Sequence, residues 1–165
     1  MKHFLGIEAD PIIEDVPSLA QLLAELPGYA GIHGQIFLYA GNEGAEEAVF
    51  LLAEAGLLVD RHELYQFSSG HMEELFWDYG FQLDKDVYIF KEMVEAFALE
   101  APSREAEKMA RIQLSEHLVF TSHQEDRATP VHFIDKELVE LATRISSAYR
   151  CRALFFNLDK QKKNL

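Results

Sequence analysis

A single cysteine, Cys151, is present among the 165 residues of this chain. One thiol cannot form an intrachain disulfide or a thiolate zinc cluster, so the sequence excludes both. A chain of this length without such links is expected to fold in a reducing compartment, which predicts a cytoplasmic protein. Cys151 falls between Arg150 and Arg152, whose side chains alternate to the other face of a strand. We therefore expect it to be a core residue rather than a reactive thiol.

Long hydrophobic runs are also missing. No apolar stretch approaches the roughly 20 residues that a helix needs to cross a bilayer. Residues 1–11 reach an acidic residue, Glu8, without the apolar segment of a secretory signal. With 48% hydrophobic and 26% charged residues, the composition is that of a globular protein with its own core. The sequence therefore predicts neither membrane association nor secretion.

Basic side chains are scarce in the first 60 residues, where Lys2 is the only lysine or arginine. Ten carboxylates stand against it, so this segment carries a formal charge of −9 out of −13 for the whole chain. A field of one sign repels nucleic acid and anionic membranes and attracts cationic molecules. We therefore expect a basic protein partner, and we expect no binding of nucleic acid or membrane.

The clearest local pattern is a strand, a helix and a second strand between residues 35 and 67. Gln35–Ala40 is a short apolar run of β-prone residues, which is typical of a strand buried on both faces. Residues 45–55 then place alanines and leucines on one helical stripe, which ends at Gly56. Such a βαβ unit usually makes a parallel strand pair. We predict an α/β or α+β fold with a mixed sheet covered by helices.

The segment from 68 to 117 shows apolar side chains at helical spacing, so the sequence predicts a helix-rich middle. The spaced residues of its first two predicted helices are Met72, Leu75, Phe76 and Tyr79, followed by Ile89, Phe90, Met93 and Phe97. Ser103 is well placed to cap a third helix that begins at Arg104.

The rest of the chain completes one predicted globular domain, residues 1–165. Asp135 is well placed to cap a final helix, and residues 152–158 are bulky and apolar, which favours a central last strand. Residues 159–165 contain three lysines and few apolar side chains, so we expect a mobile basic tail. Neither of the common glycine-rich nucleotide-binding motifs occurs, and no cofactor is predicted.

The acidity leads to a first functional hypothesis, a small binding or regulatory protein without chemistry of its own. Its partner would be a basic protein, and inhibition of the immunity or antitoxin type is one form that such binding takes. The side chains that we assign to the docking surface are Glu43, Glu46, Glu47, Glu54, Asp60 and Trp77. Trp77 points away from the predicted core stripe, so it either packs under a neighbouring loop or is exposed as a contact residue.

The histidines lead to the alternative hypothesis, a metal-dependent hydrolase. Its ligands would come from imidazole and carboxylate groups between residues 117 and 135, which suit zinc and other transition metals. The candidate ligands are His117, His123, His132 and Asp126. No H-E-x-x-H motif is present, so only the fold can bring these side chains together. The two hypotheses differ in whether the carboxylates share an exposed face or the histidines converge.

Overall fold

The computed structural model describes residues 1–123 and 129–158, and in these it contains eleven β-strands and four α-helices. This content confirms the predicted combination of helices and sheets. The strands are β1 (Lys2–Ala9), β2 (Tyr29–His33), β3 (Ile36–Tyr39), β4 (Leu58–Phe67), β5 (His71–Met72), β6 (Gly80–Leu83), β7 (Asp86–Phe90), β8 (Val94–Glu100), β9 (Leu118–Ser122), β10 (Val131–Asp135) and β11 (Arg152–Phe156). The α-helices are α1 (Pro17–Ala24), α2 (Asn42–Glu54), α3 (Arg104–Leu114) and α4 (Val139–Ala148). None of the helices found in these residues is long and apolar enough to cross a membrane.

The chain divides into two compact units. The first contains Met1–Ser68 and Phe81–Glu92, and the second contains Ser69–Gly80 and the described residues from Met93 onward. Each unit has its own sheet and its own buried cluster of side chains. A single domain over 1–165 stays a prediction, and the predicted tail at 159–165 lies outside the described residues.

Strand β1 lies inside the six-stranded sheet of the first unit, whose order is β2-β3-β1-β4-β7-β6. It pairs antiparallel with β3 on one side and with β4 on the other, so that Leu5 stands opposite both Tyr39 and Glu63. The predicted strand–helix–strand unit at 35–67 is present as β3, α2 and β4. Its two strands run parallel to each other, but β1 separates them. The predicted mixed sheet is therefore corrected to an antiparallel one, because the connection through α2 crosses over a strand that the local pattern does not reveal.

Helices α1 and α2 cover one face of this sheet. Ile7 of β1 is fully buried there against Ala48 and Leu52 of α2. Gly44, in the first turn of α2, lets the helix begin close to the segment that follows α1, because a Cβ atom at that position would collide with the carbonyl oxygen of Pro27. The packing of α2 on β1 thus decides which side of the helix is buried and which side faces solvent.

The sheet of the second unit has the order β11-β8-β10-β9-β5, and its strands pair antiparallel. Helices α3 and α4 pack with β8 and β10 in a core that includes Phe97, Leu114, Ala142 and Cys151. Cys151 is only 2% exposed, as expected for a core residue. The Asp135 Oδ1 atom accepts a 2.8 Å hydrogen bond from a backbone N–H two residues on, which is the predicted cap of the final helical segment.

The helix-rich middle predicted at 68–117 is mostly wrong. Only α3 is an α-helix there, and it begins as predicted, with the Ser103 hydroxyl accepting a 3.2 Å hydrogen bond from the Ala106 N–H. The rest of this segment forms β5 to β8 and short 3-10 helices. Residues 87–89 of β7 are buried in succession. A run of apolar residues that is buried on both faces contains helical spacings by chance, so periodicity does not distinguish the two structures.

The last strand, β11, forms an edge of its sheet and not the centre. It pairs with β8, and Leu154 keeps 40% of its surface exposed. Phe155 contacts Phe97 of β8 with ring centroids 5.1 Å apart. Its bulky residues therefore seal one side of the core rather than fill the middle of it.

The position of β3 between β2 and β1 makes Leu38 a sensitive core residue. Leu38 is fully buried, so Leu38→Asp should cost several kcal/mol of unfolding free energy, because the carboxylate loses its hydration without gaining a partner. Ile32→Asp is the matched control on edge strand β2, where the side chain is 40% exposed, and it should cost clearly less because the carboxylate stays in contact with water. Urea unfolding measures both. A Leu38→Asp protein as stable as the wild type would contradict this placement of β3.

Candidate functional site

The outer surface of α2 carries four exposed carboxylates and one exposed aromatic ring. The carboxylates are those of Glu43, Glu46, Glu47 and Glu54. Phe50 stands among them with 62% of its surface exposed. At about 100° per residue, the five positions fall within roughly a third of the helix circumference. They lie opposite the buried stripe that contains Ala48 and Leu52. These five residues are called the α2 acidic face below.

The structure does not bring Asp60 to the α2 acidic face. Successive residues of a strand point to opposite sides of the sheet, and Arg61 points toward α2, where its Nη1 atom lies 2.7 Å from Glu46 Oε1. Asp60 is exposed and stands in register with Glu8 of β1, on the other side. Four of the five predicted carboxylates therefore lie on the α2 acidic face, and one of these, Glu46, is paired with Arg61.

A cluster of charged side chains that no sequence pattern predicts lies beside Asp60. The His62 Nε2 atom is 2.8 Å from Glu8 Oε2, and its Nδ1 atom is 3.2 Å from Glu92 Oε1. Burial lowers the pKa of His62, but the hydrogen bonds to Glu8 and Glu92 outweigh burial and the pKa is raised overall. The protonated imidazole thus joins β1 to the segment after β7. This contribution to stability is present below the ordinary pKa of histidine and is lost as the pH rises through the raised value.

Trp77 is exposed in the second unit. It lies in a short 3-10 helix, Glu74–Asp78, with 64% of its surface exposed. Its indole meets the buried Phe76 ring edge-on, with centroids 5.1 Å apart. Of the two alternatives for Trp77, the exposed position is the one that occurs. It is a contact candidate of the second unit.

The predicted metal ligands do not converge within the described residues. His117 is half-buried after α3, His123 is exposed after β9, and His132 is 1% exposed inside β10. Asp126 lies outside the described residues. In residues 1–123 and 129–158, no group of three or more histidine, cysteine, aspartate or glutamate side chains is arranged to hold a metal ion.

His132 instead belongs to a polar row that crosses the sheet of the second unit. Strand register places His71 of β5 opposite Thr121 of β9, and Thr121 opposite His132 of β10. Residues that stand directly opposite each other in a sheet share a face. The three side chains therefore lie on one side of the sheet, although 50 and 11 residues separate them in the chain.

Hydrogen bonds connect this row to Glu73. The Thr121 hydroxyl donates to Glu73 Oε1 at 3.1 Å, and the Nδ1 atom of His132 lies 3.0 Å from the same hydroxyl oxygen. A hydroxyl has one proton, and here Glu73 receives it, so His132 Nδ1 must carry a hydrogen and donate it to Thr121. Glu73 Oε2 lies 3.6 Å from His71 Nε2. Two buried side chains, Thr121 and His132, thus hold the Glu73 carboxylate in its orientation.

Burial is the main reason that His132 is neutral. The pKa of His132 is lowered to about 4, mainly by burial and in addition by electrostatic repulsion from Arg111 and His123. The row opens into a cleft of about 340 Å³, whose walls include Glu73, Arg111 and His123.

Comparisons with protein-family models, with curated proteins and with solved structures found no match. The chemistry of the α2 acidic face and of this cleft is therefore the basis for assigning a function.

The buried imidazole predicts a loss of stability in mild acid. Folding lowers the pKa of His132 from 6.5 to about 4, so its stabilising effect is complete above about pH 6.5 and is lost as the pH falls toward 4. A shift of this size corresponds to about 3 kcal/mol. His132→Asn keeps a donor for Thr121 but does not titrate, so its unfolding free energy should fall less between pH 7 and pH 4.5. Urea unfolding measures the difference, and an identical pH dependence in both proteins would contradict a neutral buried His132.

Proposed function

We propose that this protein binds a basic protein partner through the α2 acidic face. The observation that supports this most directly is the exposed Phe50 ring within a stripe of glutamates. A phenylalanine side chain gains about 1.5–3 kcal/mol when it is buried, so Phe50 is a ready anchor for binding. The surrounding carboxylates favour a partner whose apolar pocket is rimmed by lysine or arginine.

The charge of the whole chain acts in the same direction. A formal charge of −13 accelerates the encounter with a cationic protein and opposes binding to nucleic acid or to anionic membranes. A partner held in this way has part of its basic surface covered, which makes inhibition or regulation of that partner the natural consequence. The buried free thiol of Cys151 is compatible with a reducing compartment, and we propose the cytoplasm.

Site-specific crosslinking tests the surface. A photoreactive phenylalanine analogue is placed at Phe50, at Trp77 and at Gln21, an exposed position on α1. In the native host, Phe50 should give a specific adduct with a protein of high isoelectric point, and Gln21 should give none. An adduct from Trp77 with the same protein would make that indole a second anchor. Equal adduct patterns from Phe50 and Gln21 would contradict the proposal.

Binding kinetics with the partner identified in this way then test the mechanism. Glu47→Lys combined with Glu54→Lys should lower the on-rate about tenfold at low salt, with the difference vanishing near 1 M salt. The control, Glu95→Lys with Glu116→Lys, changes the net charge equally at exposed positions of the second unit and should have a smaller effect. Phe50→Ala should act mainly on the off-rate. If the two double variants behave alike, the acidity serves solubility and the docking face is refuted.

A further inference from the structure

The cleft of the second unit is lined by opposite charges. Arg111 of α3 contributes a guanidinium group, Glu73 contributes a carboxylate, and His123 after β9 contributes an imidazole. His71, Ser115 and Thr121 complete the polar part of the wall. At about 340 Å³, the cleft lies at the small end of the range for sites of metabolite-sized ligands.

The carboxylate in this cleft is held in a fixed orientation, unlike a typical surface glutamate. The Glu73 side chain is 18% exposed, and its Oε1 atom is occupied by the Thr121 hydroxyl. Behind Thr121 stands His132, which is buried and donates to the same hydroxyl. Hydrogen bonds between buried groups are stronger than in water, so this chain of contacts restrains the carboxylate at its outer end. Thr121 and His132 are therefore positioning residues for Glu73.

A backbone feature brings His71 and Glu73 to this place. Gly70 has φ +148°, which other residues rarely adopt, and an added Cβ atom would meet the Phe120 ring and lie 2.8 Å from the Thr121 carbonyl oxygen. Only glycine lets the chain press this closely onto β9. The close approach allows β5 to pair with β9 and sets His71 opposite Thr121.

We propose that this cleft binds a small zwitterionic molecule, whose anionic group is held by Arg111 and whose ammonium group is held by Glu73. A guanidinium group binds carboxylate or phosphate through two parallel hydrogen bonds. A half-buried carboxylate of fixed orientation is the matching acceptor for an ammonium group. The imidazole of His123 adds a further polar group to the cleft. The required chemistry is shared by amino acids and by phosphate esters of amino alcohols, and their affinities distinguish them.

Nuclear magnetic resonance titration of the whole chain tests this site with defined probes. The probes are glycine, O-phosphoethanolamine, inorganic phosphate and ethylamine. At least one zwitterion should saturate shifts of His71, Thr121 and Arg111 with a Kd below about 10 mM, and it should bind about tenfold more tightly than phosphate or ethylamine alone. Tighter binding of glycine assigns a carboxylate ligand, and tighter binding of O-phosphoethanolamine assigns a phosphate ligand.

Variants separate the two halves of the site. Arg111→Gln should weaken zwitterion binding about tenfold or more, and Glu73→Gln should reduce the zwitterion to the affinity of its anionic half. The matched controls are Arg104→Gln on the same helix and Glu74→Gln beside Glu73, both exposed, and neither should change binding. Thr121→Val, which keeps the shape but removes the hydroxyl, should weaken ammonium recognition in a protein whose spectrum remains folded.

Three results would overturn the proposal. The first is the absence of saturable shifts with either zwitterion in the wild-type protein. The second is a lack of any gain in affinity from carrying both charges. O-phosphoethanolamine would then bind no more tightly than phosphate, and glycine no more tightly than ethylamine, which would mean that the two charged walls do not act together. The third is unchanged zwitterion binding in a folded Arg111→Gln protein, which would place the ligand elsewhere.

Discussion

The placement of β1 between β3 and β4 is the constraint on which the first unit depends. Because β1 pairs antiparallel with both, α2 must cross over β1 to connect them, and its small residues must face Ile7. Gly6 supports this arrangement, since an added Cβ atom would lie 2.8 Å from Ile36 and 3.1 Å from Leu64 on the other side of the sheet. Once the buried stripe of α2 is fixed, its glutamates and Phe50 have only the solvent side left. The acidic face is thus a consequence of sheet register.

Local sequence patterns predicted the elements whose signals are local. Strand β3, helix α2 and the caps at Ser103 and Asp135 were predictable because a buried run, a glycine stop or a capping side chain lies within a few residues of each. The segment between β4 and α3 was not predictable in this way. Strand β5 is only two residues long and pairs with the distant β9, and β7 is buried at three successive positions, so its apolar spacing does not distinguish a strand from a helix. The crossover of α2 over β1 is non-local for the same reason.

The α2 acidic face and the cleft also differ in whether their sequence signals are local. The acidic stripe was predictable from helical spacing, and Phe50 could have been found as the one large apolar residue four positions from both Glu46 and Glu54. The cleft was not predictable, because only the pairing of β5, β9 and β10 aligns His71, Thr121 and His132. The metal hypothesis named one residue of this row, His132, as a ligand. In the described residues His132 belongs to no group of three or more possible ligands, and its Nδ1 atom instead donates to Thr121, whose own proton goes to Glu73.

Solvent exposure separates the physical roles of the two carboxylate sites. The glutamates of α2 stand in water, where their attraction for a cation is weak at contact and acts over the Debye length of about 10 Å at 0.1 M salt. They are suited to steer a large partner, and salt should weaken that action steeply. Glu73 is mostly withdrawn from water and already oriented, so its interaction with an ammonium group is stronger and less screened. Ionic strength therefore distinguishes the two sites within one molecule: partner association should be sensitive to salt over a range in which binding of a zwitterion in the cleft changes little.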